Sequence, residues 1–159
     1  MHFALTVNIW AWILAEFCFF PVFMSGCNFW SLQGRIVGIT DSAGTTTFTY
    51  DAGDKITSIT DPLGNTLTRE YDQQGNLIKT IDARGNVTRY AYDANDNLIS
   101  ITDALNQTIC YEYDNEDRLK KVIDARGNAT TIVYDAMGRM TGVIDPLGNT
   151  FGYTYDEEG

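Results

Sequence analysis

Along residues 34–159, apolar and polar positions alternate in segments of about six residues, the length of one ordinary strand. Short stretches rich in Asp, Gly and Asn separate them. The alternation is cleanest ahead of each Tyr-Asp pair, as Phe48/Tyr50, Tyr90/Tyr92, Tyr111/Tyr113, Ile132/Tyr134 and Tyr153/Tyr155. Period two with aromatics on one side predicts strands with one packed face. Stacked in register, these tyrosines form a cross-strand ladder. The alternate segments carry Leu77, Leu98, Leu119 and Met140 near their start, then Ile101, Val122 and Val143 three places on. Either a bulge rephases these two columns, or both faces are partly covered.

The pattern repeats. Tyr-Asp recurs as Tyr50-Asp51, Tyr71-Asp72, Tyr92-Asp93, Tyr113-Asp114, Tyr134-Asp135 and Tyr155-Asp156, always 21 residues apart. A fixed period of this kind marks a repeat architecture. A second aspartate lies 10 residues after the first, at Asp61, Asp82, Asp103, Asp124 and Asp145. Three residues beyond the second aspartates stand Gly64, Gly85, Asn106, Gly127 and Gly148. Three beyond the first stand Asp54, Gly75, Asp96, Asp117, Gly138 and Gly159. With Gly44 after Asp41, all 12 such positions are Gly, Asn or Asp, the residues that best tolerate a positive φ. Asp opening a turn accepts hydrogen bonds from its own turn backbone, and Pro62 and Pro146 preset φ for a type I turn. A left-handed fourth residue then returns the chain as a bulged hairpin. The expected fold is all-β: a repetitive antiparallel meander of about 12 strands, twisted and coiled, with no helix between residues 31 and 159.

The chain has 159 residues, a length that allows one domain with its own core. Its net charge is -10, and with 11 Lys and Arg it is a poor grip for nucleic-acid backbones. The single histidine, His2, leaves little room for histidine-based acid–base or zinc chemistry. Cys18, Cys27 and Cys110 have no CxxC spacing and read as unpaired. Regularly spaced aspartates raise the idea of a calcium ladder. Their spacing matches no calcium loop, and a turn needs them where they are. Glu112 and Asp114 share a strand face without a cleft, which suits a solvated surface better than a glycosidase pair. Asn86, Asn106 and Asn128 open Asn-x-Thr triplets that the Gly-Asn turn followed by a Thr-rich strand generates by itself. No catalytic constellation, cofactor or metal site is expected.

"YDAMGRMTGVIDPLGNT" (134–150) resembles the RHS/YD-repeat family, and the likeness covers roughly residues 34–159. It implies a β-strip that spirals into a hollow shell. In bacterial members the shell encloses a polymorphic-toxin domain within a large secreted or cell-surface protein. In animal teneurins a similar shell is extracellular. The resemblance makes Tyr50, Asp51, Tyr71, Asp72, Gly75, Tyr92, Asp93, Tyr113, Asp114, Tyr134, Asp135, Gly138, Tyr155 and Asp156 structural repeat positions. Asp61, Gly64, Asp82, Gly85, Asp124, Gly127, Asp145 and Gly148 fill the same role at the second turn. The self-cleaving aspartates of family toxins lie in Asp-Pro-x-Gly-Leu. Here both Asp-Pro-Leu-Gly sites continue with Asn, so no protease role passes to Asp61 or Asp145.

Residues 1–30 are another kind of sequence, with all three tryptophans, one acid (Glu16) and no Lys or Arg. The apolar run 3–24 fits a membrane anchor, a signal, or an accidental leader upstream of a repeat array truncated at both ends. "MSGC" (24–27) faintly resembles a lipoprotein cleavage site. The position where a Tyr-Asp pair would precede residue 34 is occupied by Trp30-Ser31. Two domains follow: 1–30, the leader, and 31–159, the array. The expected function is a non-enzymatic segment of an RHS-type shell. Its partners are neighbouring repeat segments and an enclosed effector domain. The alternative is a membrane-tethered or secreted carbohydrate-binding module that takes glycans on the tyrosine face.

Overall fold

A computed structural model describes residues 27–30 and 34–156. It contains β1 (Cys27–Trp30), β2 (Ile36–Asp41), β3 (Gly44–Tyr50), β4 (Ile56–Thr60), β5 (Thr66–Tyr71), β6 (Leu77–Ile81) and β7 (Val87–Tyr92). These continue as β8 (Leu98–Thr102), β9 (Thr108–Tyr113), β10 (Leu119–Ile123), β11 (Ala129–Tyr134), β12 (Met140–Ile144) and β13 (Thr150–Gly152). All 13 strands lie in one sheet in chain order, each antiparallel to its neighbours. No helix occurs among the described residues. The apolar run 3–24, with its anchor and signal readings, lies outside them.

The strand beyond the expected 12 is β1. Trp30 pairs with Ile36 as Tyr71 pairs with Leu77, so it takes the tyrosine's place in the ladder. The meander thus starts one strand earlier than the Tyr-Asp spelling shows.

Every Tyr-Asp hairpin carries a bulge one residue past the pair. Tyr92 faces Leu98, but Ala91 faces Ser100, so Ile99 has no partner. The same skip passes over Val37, Thr57, Ile78, Lys120 and Thr141. The extra residue shifts the alternation by one. Leu98 opposite Tyr92 and Ile101 opposite Tyr90 therefore share one face although three residues separate them. Of the two explanations for the three-residue offset, the bulge is the one the chain uses.

One face of the strip is consequently apolar over most of its length, broken by the polar row Arg69, Thr80 and Thr88. Phe48 faces Ile59 and Ile59 faces Leu67, while further along Tyr90, Ile101 and Ile109 line up, then Tyr111 and Val122, then Ile132, Val143 and Phe151. The other face is largely polar. Thr60 meets Thr66 and Thr102 meets Thr108, each pair sharing a hydroxyl hydrogen bond of 2.9 Å. Lys79 lies opposite Glu70, and Lys121 opposite Glu112, as ion pairs of 2.8 and 3.3 Å. No other described element stacks on the sheet, so no hydrophobic side chain among the described residues is buried. The length allows a core, but a core needs a second layer, and none is present among these residues.

The Tyr-Asp turn edge as the candidate functional site

Ten hairpin turns, at Asp51, Asp61, Asp72 and on through Asp145, share one backbone design. The opening Asp N–H donates to the carbonyl of the fifth residue, and the fourth N–H donates to the Asp carbonyl. At Asp82 these bonds run to Asn86 at 3.0 Å and from Gly85 at 2.9 Å. This is a type I turn closed by a left-handed residue. Asp54, Asp96, Asn106 and Asp117 take φ between 58° and 64°, and Gly64, Gly75, Gly85, Gly127, Gly138 and Gly148 take φ between 82° and 95°. Gly34, ahead of β2, fills the same place at φ 77°. Gly159 lies outside the described residues.

The turn at Asp41 differs. Asp41 pairs directly with Gly44, leaving a loop of only Ser42 and Ala43. Asp41 stands nine residues before Tyr50 where the later units have ten, and the missing residue comes out of the loop. The bulged hairpin expected from the Asp-x-x-Gly spelling is not formed there.

The aspartate side chains sit inside their turns. Asp82 Oδ1 accepts from the N–H groups of Arg84 at 2.9 Å and Asn86 at 2.8 Å, and Oδ2 accepts from the Asn86 amide at 2.7 Å. Asp61, Asp124 and Asp145 repeat all three bonds. Asp103 keeps only the two backbone bonds because Gln107 replaces the asparagine. Among the first aspartates, Asp51, Asp93, Asp114 and Asp135 accept from the second and fourth residues beyond them. Asp72 accepts from Gly75 and Asn76.

In eight of the ten turns these bonds hold the aspartate in its ionised form. The asparagine amide is the main cause holding Asp61, Asp82, Asp124 and Asp145 below the usual carboxylate value. For Asp93 and Asp135 it is the backbone N–H of Asn97 and Arg139. Desolvation pushes Asp72 and Asp114 up, but their turn hydrogen bonds together outweigh it and both lie low.

The tyrosines of the pairs act between repeats. Each phenol donates to a carbonyl in the preceding repeat, at the strand residue just before the bulge. Tyr71 reaches Ile56 at 3.0 Å, Tyr92 reaches Leu77 at 3.1 Å, Tyr113 reaches Leu98 at 3.0 Å and Tyr134 reaches Leu119 at 2.9 Å. Tyr155 reaches Met140 at 2.6 Å, and Tyr50 makes the same bond to Ile36. Asp156 follows Tyr155 beyond the last strand. This latch was invisible in the sequence, where tyrosine on a sheet face reads only as packing. The regular recurrence of a hydroxyl-bearing aromatic beside a bulge was the available signal.

A third column, the residue closing each Tyr-Asp turn, reaches toward the next repeat. Arg35, Lys55, Arg118 and Arg139 lie over the rings of Tyr50, Tyr71, Tyr134 and Tyr155, 4.7–5.4 Å from the centroids. Arg118 and Arg139 also bind Asp114 and Asp135 of their own turns. Asn76 and Asn97 hold the same column but donate to Asp96 and Asp117, both at 2.7 Å. The second-turn edge is open by comparison: a Cβ built on Gly64, Gly85, Gly127 or Gly148 would meet nothing within 4 Å.

No catalytic cluster emerges among the described residues. Glu112 pairs with Lys121 and Asp114 with Arg118, so each of those two carboxylates serves a different cation. No group of three or more His, Cys, Asp or Glu among the described residues could hold a metal ion. Cys110, half-buried in β9, is a free thiol.

Turns, bulges and latches recurring every 21 residues define a β-repeat protein whose single sheet lengthens by one hairpin pair per unit. The RHS repeat model matches residues 30–66, 71–108, 92–129 and 113–150, and the chain belongs to the RHS repeat family. No curated protein matches it significantly in sequence. Among solved structures it is similar to TcdB2-TccC3, with a TM-score of 0.69 and 18% identity over 85% of this chain and 9% of that one. The TcdB2-TccC3-Cdc42 structure gives a TM-score of 0.63 and 15% identity over 74% and 7%. The Photorhabdus luminescens Tc holotoxin pore gives 0.62 and 18% over 79% and 8%. The chain thus spans less than a tenth of the length of these structures, and the likeness is one of fold.

Proposed function

We propose that this chain is a non-enzymatic wall segment of an RHS-type β-shell. The shell belongs to a larger secreted or cell-surface protein and encloses or displays an effector domain. The observation that carries this reading is the single-layered strip with one largely apolar face that no other described element covers, built from units that pair only with their sequence neighbours. Such a strip gains area by repeating one unit, and its apolar face needs a cover that a second layer or an enclosed chain supplies. Similarity to toxin structures containing TcdB2 and TccC3 supports the same reading. On this view the recurring geometry of Tyr-Asp and Asp-x-x-Gly is architectural, and residues 31–159 are one array.

The test is the coding DNA on both sides of this chain. Further 21-residue Tyr-Asp units running on from either end support the wall segment. Flanks without such units, around a chain that is made and folded as it stands, contradict it.

One observation keeps a second reading in view. The phenols of Tyr90, Tyr111 and Tyr153 have no hydrogen-bond partner among the described residues, unlike those of the Tyr-Asp pairs, and Tyr153 is 47% exposed. A carbohydrate-binding module would use these three. It requires glycan-array binding that Tyr→Ala changes at all three positions remove while the β-sheet signal in circular dichroism stays.

A further inference from the structure

The repeats of this chain differ at one column in a way that leaves a space open beside a tyrosine. In four of them the turn-closing column supplies a cation to the tyrosine of the following repeat: Arg35, Lys55, Arg118 and Arg139 over Tyr50, Tyr71, Tyr134 and Tyr155. At Tyr92 that column holds Asn76, sixteen residues earlier, as Arg118 stands sixteen before Tyr134. Asn76 is too short to cover a ring, and its amide is engaged with Asp96 at 2.7 Å. Where the cation would lie there is an open cavity of about 370 Å³, lined among others by Asp72, Asn76, Ile78, Tyr92, Asp93 and Asp96.

The electrostatics match the missing group. Arg118 in the filled version bonds Asp114 through Nε at 2.7 Å while its guanidinium lies 4.7 Å from the Tyr134 centroid. In the open version Asp72 stands where Asp114 does, yet among the described residues it forms no ion pair, and neither do Asp93 and Asp96. No Lys or Arg lines the cavity. Three carboxylates and one aromatic face therefore surround the space. Lys55 and Arg118 fill the corresponding one beside a glycine, Gly75 or Gly138. Here Asp96 stands in that place, as Asp54 stands beside Arg35, its ion-pair partner. A planar cation held by a carboxylate and stacked on a ring is the arrangement arginine favours.

We propose that the Tyr92 notch binds an arginine side chain presented by another polypeptide segment, with Asp72 as its carboxylate partner and the Tyr92 ring as its platform. The neighbouring repeat differs. At Tyr113 the column residue is Asn97, but Asp117 is already held by both Asn95 and Asn97, at 2.9 and 2.7 Å. At Tyr92 the corresponding Asp96 has the single asparagine donor Asn76, which leaves its carboxylate the less saturated of the two. The inference does not rest on the shell reading, since the occupant's chemistry comes from the chain's own Arg118 and Arg139.

The test is ligand-observed saturation-transfer NMR on the full chain with acetyl-Gly-Arg-Gly-amide. The peptide with citrulline in place of arginine keeps the shape and removes the charge. The expected result is transfer to the arginine δ-methylene protons, absent for citrulline. Asn76→Arg, which would fill the notch as Arg35 lies over Tyr50 beside Asp54, should weaken binding by at least about tenfold, the scale of one ring contact plus one charged hydrogen bond. Asp72→Asn should weaken it without filling the space, and circular dichroism reports whether each variant keeps the sheet. Equal transfer to the citrulline peptide, no transfer to either, or arginine binding unchanged in a folded Asn76→Arg chain would overturn the proposal. If Asn76→Arg does not fold, unchanged binding by Asp72→Asn does so instead.

Discussion

Tyr92 donates its phenolic hydrogen to the carbonyl of Leu77, fifteen residues earlier, at 3.1 Å. Leu77 is itself the ladder partner of Tyr71, the corresponding tyrosine of the preceding repeat. Each tyrosine thus fastens its own repeat to the strand that the previous tyrosine has paired. The bulge next to that strand residue turns the ladder locally out of register, and the phenol gives the carbonyl beside it a donor from outside the ladder. The chain conserves the bond where its own spacing falters: Tyr50 still reaches Ile36 although the intervening turn is one residue short.

If the latch holds repeats together, replacing Tyr113 by Phe removes a hydrogen bond while leaving the ring. The expected loss is about 0.5–1.5 kcal/mol, the usual net worth of such a bond. Urea unfolding of wild type and Tyr113→Phe measures it. Tyr111→Phe, whose phenol has no partner among the described residues, should change stability much less. Equal losses at the two positions would show that the ring alone matters.

Glycines at the turns are not equivalent. Gly85 has φ 82° with open space where a side chain would go, so Ala there bears only the left-handed strain of about 1–2 kcal/mol. Gly44 has φ 129°, and a Cβ there would lie 2.7 Å from Pro62 Cβ. Gly44→Ala should therefore cost clearly more than Gly85→Ala. Pro62→Gly, which removes the Cβ that would clash, should cost less in the Gly44→Ala background than in the wild type, and chemical denaturation of the single and double variants checks the order.

Acid should loosen the turns. Eight aspartates, Asp61, Asp72, Asp82, Asp93, Asp114, Asp124, Asp135 and Asp145, are held below the ordinary value by turn hydrogen bonds. A carboxylate with a lower pKa folded than unfolded contributes stability that is fully present above the unfolded value of about 4 and is lost as pH falls through the folded one. Melting temperature should therefore be level near neutrality and drop below about pH 4. Replacing Asp82, Asp124 and Asp145 by Asn should flatten that drop. At the alkaline end, burial and the neighbouring Tyr90 and Asp72 raise the Tyr92 phenol, and burial with Tyr111 and Asp93 raises Tyr113. Their neutral forms are the stabilising ones, so a second loss should set in above about pH 10.

Much of this was legible because the repeat averages over itself. One Asp-x-x-Gly is weak evidence for a turn, but Asp51, Asp61, Asp72 and their successors at fixed spacing leave little freedom in the strand pattern. Leu98 and Ile101 even announced an offset that had to be absorbed somewhere, although only the register placed the bulge at Ile99. Three things stayed hidden for physical reasons. Trp30 does not look like a repeat tyrosine, since its ladder role depends on backbone pairing and not on a hydroxyl. The Asp41 loop contracts by one residue without losing its Asp-x-x-Gly spelling. The reach of Arg118 to Tyr134 joins side chains sixteen residues apart, a distance that strand alternation alone does not bridge.

Electron cryomicroscopy of the protein purified from its native source tests the central claim most directly. The account expects these strands to be one stretch of a longer β-wall curving around an interior, with density for an enclosed chain against the apolar face. A freestanding 17.8 kDa chain with both sheet edges open and that face bare to solvent would contradict it.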